Sequence, residues 1–558
     1  MQRVRARVRA DAVALGALAV FVVAGLAWLL HPWHPVEDQA ITELVVRRVT
    51  SSFPLDGAYS SLPFRHPGPA LFLWLWWPYE LFGQRSSALL AANLWFVGLS
   101  LAIALGTARR MGGALLALVV AIGIAIWSGA NGLPLLLQPW NPYVGAVPAV
   151  ALVLLTWAMV ERRARALPIA VVLGSWMVQA HIQFGPLVAV LLAVGAGALL
   201  VGAIVHRADG GLRRLRWPAL WAVGLGLLLW SPVMVDVVAN GGDSNPAAIR
   251  DHYASDDQPE TIGRRDVQGI VESQLSLRPT WAGGARPYRA YLAPVADPTP
   301  WGLLVLAAAV ASAAARRAWR ELRGMAVGAV ALLASFGALT RVSGPIGSWY
   351  LVAVEAMAIA LTAIALTALL RGAVELARGV RRPPARLERW APAAAGVATV
   401  AVLAVAASTL HLRGDEETSA RIARSVLPAV EEAIDGRPVL LEARSGRGGW
   451  VQSALVLELD RRGDEVHAAT TLEGKFPADI EADPPDDAVR LVVVTDPDPA
   501  LDWNTGVEVV AERRYSLGDE GTPVHLVIVS APLDEPFVTT FPAEAAGGSG
   551  AARDEPDG

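Results

Sequence analysis

Apolar runs of about twenty residues alternate with short arginine-rich segments through the first 411 residues, after which the pattern changes. Runs of that length predict membrane-crossing helices, and none shows the every-second-residue alternation of a barrel strand. The expected spans are 11–30, 86–107, 112–128, 143–160, 167–184, 186–205, 217–235, 299–315, 324–340, 346–370 and 391–411, about eleven in all.

The run Ala70-Leu71-Phe72-Leu73-Trp74-Leu75-Trp76-Trp77 is apolar enough to be read as a further span, and the arginines decide against it. If 69–83 crossed, Arg109-Arg110 and most later clusters would fall on the outer side, against the positive-inside rule. The segment is therefore expected to lie along the outer surface, with its tryptophans at headgroup level and Pro78 breaking it. Arg162-Arg163-Arg165, Arg207 to Arg216, Arg316 to Arg323 and Arg371 to Arg389 then all lie inside, as does the amino terminus with Arg3, Arg5, Arg7 and Arg9. The carboxyl terminus lies outside.

From 412 to about 540 the amphipathic stretch Ala420 to Ile434 precedes Pro438 to Glu442, a helical run from Trp450 to Arg462, and strand-like 489–495, 507–512 and 523–530. Strands and helices alternate as in a small extracytoplasmic α/β domain. Ser445-Gly446-Arg447-Gly448-Gly449 lacks the rest of a dinucleotide fingerprint. The tail 541–558 is Gly-, Ala- and Asp-rich and expected to be disordered. The fold class is thus a polytopic α-helical membrane protein, domain 1–411 with outer loops 31–85 and 236–298, followed by the domain 412–540.

Composition agrees with that reading, since 54% of the 558 residues are hydrophobic and only 18% charged, against about 25% charge in soluble proteins. The absence of cysteine excludes disulfides, thiol catalysis and thiolate metal sites. Basic charge is almost wholly arginine, with Lys475 the single lysine. The protein is expected in the cytoplasmic membrane among lipids, with no nucleic-acid partner.

With this orientation, polar residues outside the arginine clusters gather on the outer side. The first loop supplies Glu37, Asp38, Glu43, Asp56, Arg65 and His66; later connections supply Gln138, Trp140, Asn141, Gln179, His181 and Gln183, and the loop 236–298 adds Asp236, Asn245, Arg250 and His252. Arg341 is the lone basic residue of three short outer connections, and its guanidinium fork suits phosphate. Each has a plainer reading. Glu37 and Asp38 are also what a helix beginning near Gln39 takes in its first turn, Trp140 suits an interfacial belt, and Glu355 needs protein or water around it wherever it sits.

Glu37-Asp38 after the first span, His66-Pro67-Gly68-Pro69 opening the surface segment and Phe82-Gly83 turning into the next span resemble the GT-C superfamily of integral-membrane glycosyltransferases. The resemblance covers the first 110 residues, and the remaining spans match in number and polarity. Two features depart from its pattern: the acidic pair reads Glu-Asp rather than Asp-Glu, and Gly68 replaces a second proline, as in a bacterial subgroup with His-Pro-Gly-Pro. The resemblance implies an inverting glycosyltransferase at the outer face, with a polyprenyl-phosphate-linked sugar donor and an envelope glycan, lipid or protein acceptor. Asp38 is then the first choice of general base and Glu37 the second. Arg341 is expected at the phosphate, and Arg65, His66, Trp140, Asn141, His181 and Gln183 around the substrates. A divalent metal is compatible with this chemistry, though no ligand spacing indicates one and no cofactor is assigned. The alternatives are a secondary transporter or flippase of an envelope precursor, or a non-catalytic envelope scaffold.

Overall fold

The computed structural model describes residues 2–130, 134–255, 261–283, 300–342, 347–380, 385–412, 414–444, 446–470, 474–496, 507–517 and 522–533. The tail 541–558, parts of the loop 236–298 and residues 343–345 of the last outer connection lie outside the described residues. The chain forms two compact units, one of residues 1–31, 54–58 and 66–411, the other of residues 32–53, 59–65 and 412–558.

The first unit is helical. Among the described residues, seven helices are long and apolar enough to cross a membrane, and three shorter apolar helices, Ala12–Trp28, Ala166–Ala180 and Trp301–Ala315, accompany them. Ser87–Ala130 covers the two runs expected as separate spans and breaks near the start of the second, at Gly113, whose φ of 67° only glycine adopts without strain. The helix Gln2–Trp28 packs along it, with Gly98 admitting the Cβ of Phe21. Leu228, Val201 and Leu304 are exposed, as lipid-facing side chains would be.

Arginine chemistry marks one end of this bundle. Glu321 accepts from Arg316 and Arg371 at 2.7 Å each, Arg323 donates to Glu161 at 2.6 Å, and Arg320 donates to the Arg110 carbonyl at 2.5 Å. The arginine clusters at 109–110, 316–323 and 371 therefore converge, as a shared membrane side requires.

Ala70–Leu81 has 12 residues and so rises about 18 Å, too little for a hydrocarbon layer of about 30 Å. Its Trp74 indole donates to the Ala92 carbonyl at 2.9 Å, and the Trp77 ring meets Trp95 at 5.7 Å. Pro78 lies inside this helix instead of ending it. Only one turn follows the proline, so its missing N–H removes little from the ladder.

The second unit is an α/β layer. Strands β1 (Val439–Ala443), β2 (Val466–Ala469), β3 (Val489–Thr495), β4 (Glu508–Leu517) and β5 (Thr522–Ala531) make one sheet in the order β2-β1-β3-β5-β4. β1 runs parallel to β2 and β3, whereas β5 is antiparallel to both β3 and β4. The central β3 is buried along its whole length; its apolar core is Leu491 to Val494, and the buried Arg490 pairs with Glu442 at 2.9 Å. Helix Gly446–Arg462 connects β1 to β2, and Gly414–Ile434 packs beside it.

The segment Pro32–Phe53 belongs to this core. Helix Glu37–Arg47 places Val36, Ala40, Ile41 and Leu44 in one apolar cluster with Val451, Leu455 and Leu441. Polar links reinforce the seam: Arg461 donates to the fully buried Glu43, Arg47 and Arg48 reach Asp460 at 2.8 and 2.6 Å, and Arg48 reaches Asp479 at 2.8 Å. The acidic first loop is thus part of the unit that contains the carboxyl-terminal sheet.

Candidate active site

In the second unit the acidic pair opens helix Glu37–Arg47. Glu37 has φ 51°, a left-handed conformation costly for a residue with a Cβ, and its N–H donates to the buried Ser453 hydroxyl at 2.7 Å. Asp38, the next residue, accepts a hydrogen bond at Oδ1 from the Tyr59 hydroxyl. The ammonium of Lys475 stands 6.0 Å from the centre of the Tyr59 ring and 5.7 Å from that of Phe476. Arg65 donates from Nη2 to the Phe476 carbonyl at 3.2 Å. The turn bearing Lys475 is held by Glu481, which accepts from the N–H groups of Gly474 and Phe476 at 2.8 Å each. A carboxylate, a phenol and two cations thus gather on one rigid scaffold.

In the first unit a second group forms where the short connections meet. His66, 4% exposed, stacks on His181 with ring centres 4.1 Å apart, and its Nδ1 accepts from the Ile182 N–H at 3.4 Å. Burial pushes the His66 imidazole down to about 3, so it is neutral across the physiological range. His181 is the extended residue between helices Ala166–Ala180 and Gly185–Val205, and its Nδ1 accepts from the Gln183 N–H at 3.3 Å. Gln183 reaches the Pro142 carbonyl at 3.5 Å, one residue beyond Asn141. Trp140 is 8% exposed and packs against Tyr143 and Trp349, while Tyr350 approaches His181 at 6.3 Å.

Gly68 has a steric reason. A Cβ there would lie 2.6 Å from Gln179 Oε1, so the fully buried Gln179 fills the volume that a second proline would need. Asn245 donates to the His66 carbonyl at 3.2 Å, and Asp236 accepts from the Asn245 N–H at 2.9 Å, which gives both loop residues a supporting role.

Arg341 follows helix Trp319–Leu339, is exposed, and makes no side-chain hydrogen bond or ion pair among the described residues. Glu37, Asp38 and Arg65 lie in one unit, while His66, Trp140, Asn141, His181, Gln183 and Arg341 lie in the other. Sequence reading missed Tyr59, Trp349 and Tyr350, which carry no local signal. Lys475 did carry one, as the only lysine in the chain. Among the described residues, no group of three or more His, Asp or Glu side chains is placed to hold a metal ion.

No family model matches the chain, and no curated protein matches it. Among solved structures, it is similar to ArnT from Cupriavidus metallidurans bound to undecaprenyl phosphate, with a TM-score of 0.50 at 16% identity over 93% of this chain and 97% of that one. The chain has an ArnT-like fold. ArnT from the same source in the apo state matches at TM-score 0.47 and 16% identity, over 92% of this chain and 98% of that one. This likeness in fold extends well past the amino-terminal segment, since nearly the whole length of both chains is covered.

Proposed function

We propose that this chain is a glycosyltransferase that moves a sugar from a polyprenyl-phosphate donor to a cell-envelope acceptor, glycan, lipid or protein, at the outer face of the cytoplasmic membrane. The observation that carries this reading is the fold shared over nearly full length with an ArnT bound to undecaprenyl phosphate. The amino terminus is then cytoplasmic and the 412–540 domain extracytoplasmic.

Asp38 is the general base. It takes the proton of the acceptor hydroxyl as that oxygen bonds to the anomeric carbon, while the bond from the anomeric carbon to the phosphate oxygen breaks and its electron pair leaves with the lipid phosphate. Displacement in one step inverts the anomeric centre. Tyr59 orients the carboxylate through its hydrogen bond to Oδ1. Glu37 is the second choice. Arg341 is assigned to phosphate oxygens, Arg65 to the substrates, and His66, Trp140, Asn141, His181 and Gln183 to sugar or acceptor groups. Neutral His66 and His181 can each accept or donate a hydrogen bond to a hydroxyl without bringing charge.

The test compares Asp38→Asn with Asp38→Ala in intact protein reconstituted with a polyprenyl-phosphate sugar. A base predicts turnover reduced by about 10²–10⁴-fold in Asp38→Asn with donor binding retained. A helix cap predicts a nearly silent Asn, because Asn caps about as well as Asp, and a loss of roughly 1 kcal/mol of stability in Ala. Full turnover in both Asp38→Asn and Glu37→Gln would end the carboxylate mechanism.

A further inference from the structure

The only lysine of the chain lies beside the candidate base, and the mechanism above gives it no task. Lys475 is half-buried, and its ammonium has no hydrogen bond or ion pair among the described residues; its contacts are the faces of Tyr59 and Phe476. The placement is built. Gly474 takes φ 73°, Glu481 clamps the two flanking N–H groups, and Phe476 is fully buried. A solvated surface lysine has no need of such a mount, and in a chain whose other basic residues are all arginine the compact ammonium is a singular choice.

We propose that Lys475 is the cation that receives the departing phosphate monoester of the lipid donor. This assignment rests on the reading of Asp38 as base. In a one-step displacement the base and the leaving phosphate stand on opposite sides of the anomeric carbon, so their protein partners are separated by the breadth of a sugar. Tyr59 meets both groups, with the Asp38 carboxylate at its hydroxyl and the Lys475 ammonium 6.0 Å from its ring centre. As the carbon–oxygen bond breaks, the phosphate gains a full negative charge. A point cation held by aromatic faces, with no carboxylate paired to it among the described residues, stabilises that charge most where it develops. Arg65, fixed by its bond to the Phe476 carbonyl, adds donors on the same side.

The test measures binding of undecaprenyl phosphate, undecaprenol and inorganic phosphate to the intact protein and to Lys475→Met and Lys475→Arg. We expect the wild type to favour undecaprenyl phosphate over undecaprenol. Lys475→Met should lose roughly tenfold or more of that preference with undecaprenol binding unchanged, and Lys475→Arg should keep most of it. A wild type that treats the two lipids alike would sink the polyprenyl-phosphate reading itself. A wild type that discriminates together with a Lys475→Met that discriminates equally would sink the Lys475 assignment alone, as would an equal loss for both lipids, which marks a structural residue. Binding of inorganic phosphate as tight as the lipid phosphate would likewise overturn the donor assignment.

A second measurement needs no variant. Acetylation of the wild type by an amine reagent, read at the single lysine-containing peptide, should be slowed by undecaprenyl phosphate and not by undecaprenol or inorganic phosphate. A lysine that is unreactive without lipid, or is unprotected by it, would refute the proposal.

Discussion

Removing the Arg461 guanidinium tests whether the sheet unit holds the helix that carries Asp38. Arg461 donates to Glu43, which is 0% exposed and sits five residues after Asp38 in helix Glu37–Arg47. Breaking a buried pair from one side costs about 3–5 kcal/mol, because the remaining charge is neither solvated nor compensated. Glu43 keeps its further contacts, so the low end of that range is expected. In Arg461→Ala, backbone amides of residues 40–47 should exchange about 10²-fold faster where opening of this helix limits exchange. Hydrogen exchange read by mass spectrometry on the reconstituted protein measures this directly. Glu43→Gln in the same background should recover most of the protection, since it removes the stranded charge. Asp479→Ala is the contrasting case: Asp479 binds Arg48 at 2.8 Å but its side chain is 63% exposed, so the loss should stay within about 1 kcal/mol. If Arg461→Ala accelerates exchange no more than Asp479→Ala, the argument from buried charge is wrong. If Asp38 is the base as proposed, turnover should follow the exchange data, because the carboxylate is placed only while its helix is seated.

Gly68→Ala should cost about 1–3 kcal/mol of thermal stability, because its Cβ would meet Gln179 Oε1 at 2.6 Å, and Gln179→Ala should restore most of the loss. His66 sets a pH dependence. Its folded value of about 3 lies below the ordinary 6.5, so between those limits the unfolded chain binds a proton that the folded chain does not. Stability from this group is therefore constant above about pH 6.5 and falls as pH drops below it, by about 1.4 kcal/mol per unit. Unfolding followed from pH 8 to 5.5 should show a steeper decline for the wild type than for His66→Gln, and identical slopes would refute the burial argument.

The helical unit was legible because its cause is one-dimensional: apolar length and arginine placement are written directly in the chain, and the arginines at 110, 316–323 and 371 do meet. Charge parity argued against a span at 69–83, and the helix there has only 12 residues, while Pro78 misled because a proline one turn from a helix end costs little. Strand β2 escaped, since Val466-His467-Ala468-Ala469 is short and mixed in polarity, and its pairing with β1 is a tertiary fact. The site was harder. His66 and His181 stand 115 positions apart in the sequence and meet only through the stacking of loops, and Tyr59 touches Asp38 through packing that no spacing rule encodes. Arg341 was selected by counting charges on one side, a criterion that finds scarce residues but says nothing about where a side chain rests.

The reversed order of the acidic pair bears on which carboxylate does chemistry. Position 37 takes a left-handed backbone, which aspartate tolerates better than glutamate, so local preference alone would put Asp first and Glu second. The sequence does the opposite. What the order gains is at position 38, where the short side chain brings a carboxylate oxygen onto the Tyr59 hydroxyl; glutamate there would carry its carboxylate one methylene further. The strained turn at Glu37 is held by its N–H bond to Ser453, a backbone contact that does not depend on which side chain is present. A local preference overridden at one residue to place a functional group at the next is the pattern expected where geometry at a site outranks propensity. Under the proposed mechanism it favours Asp38 over Glu37 as the base, and it gives the Glu-Asp order a physical reason.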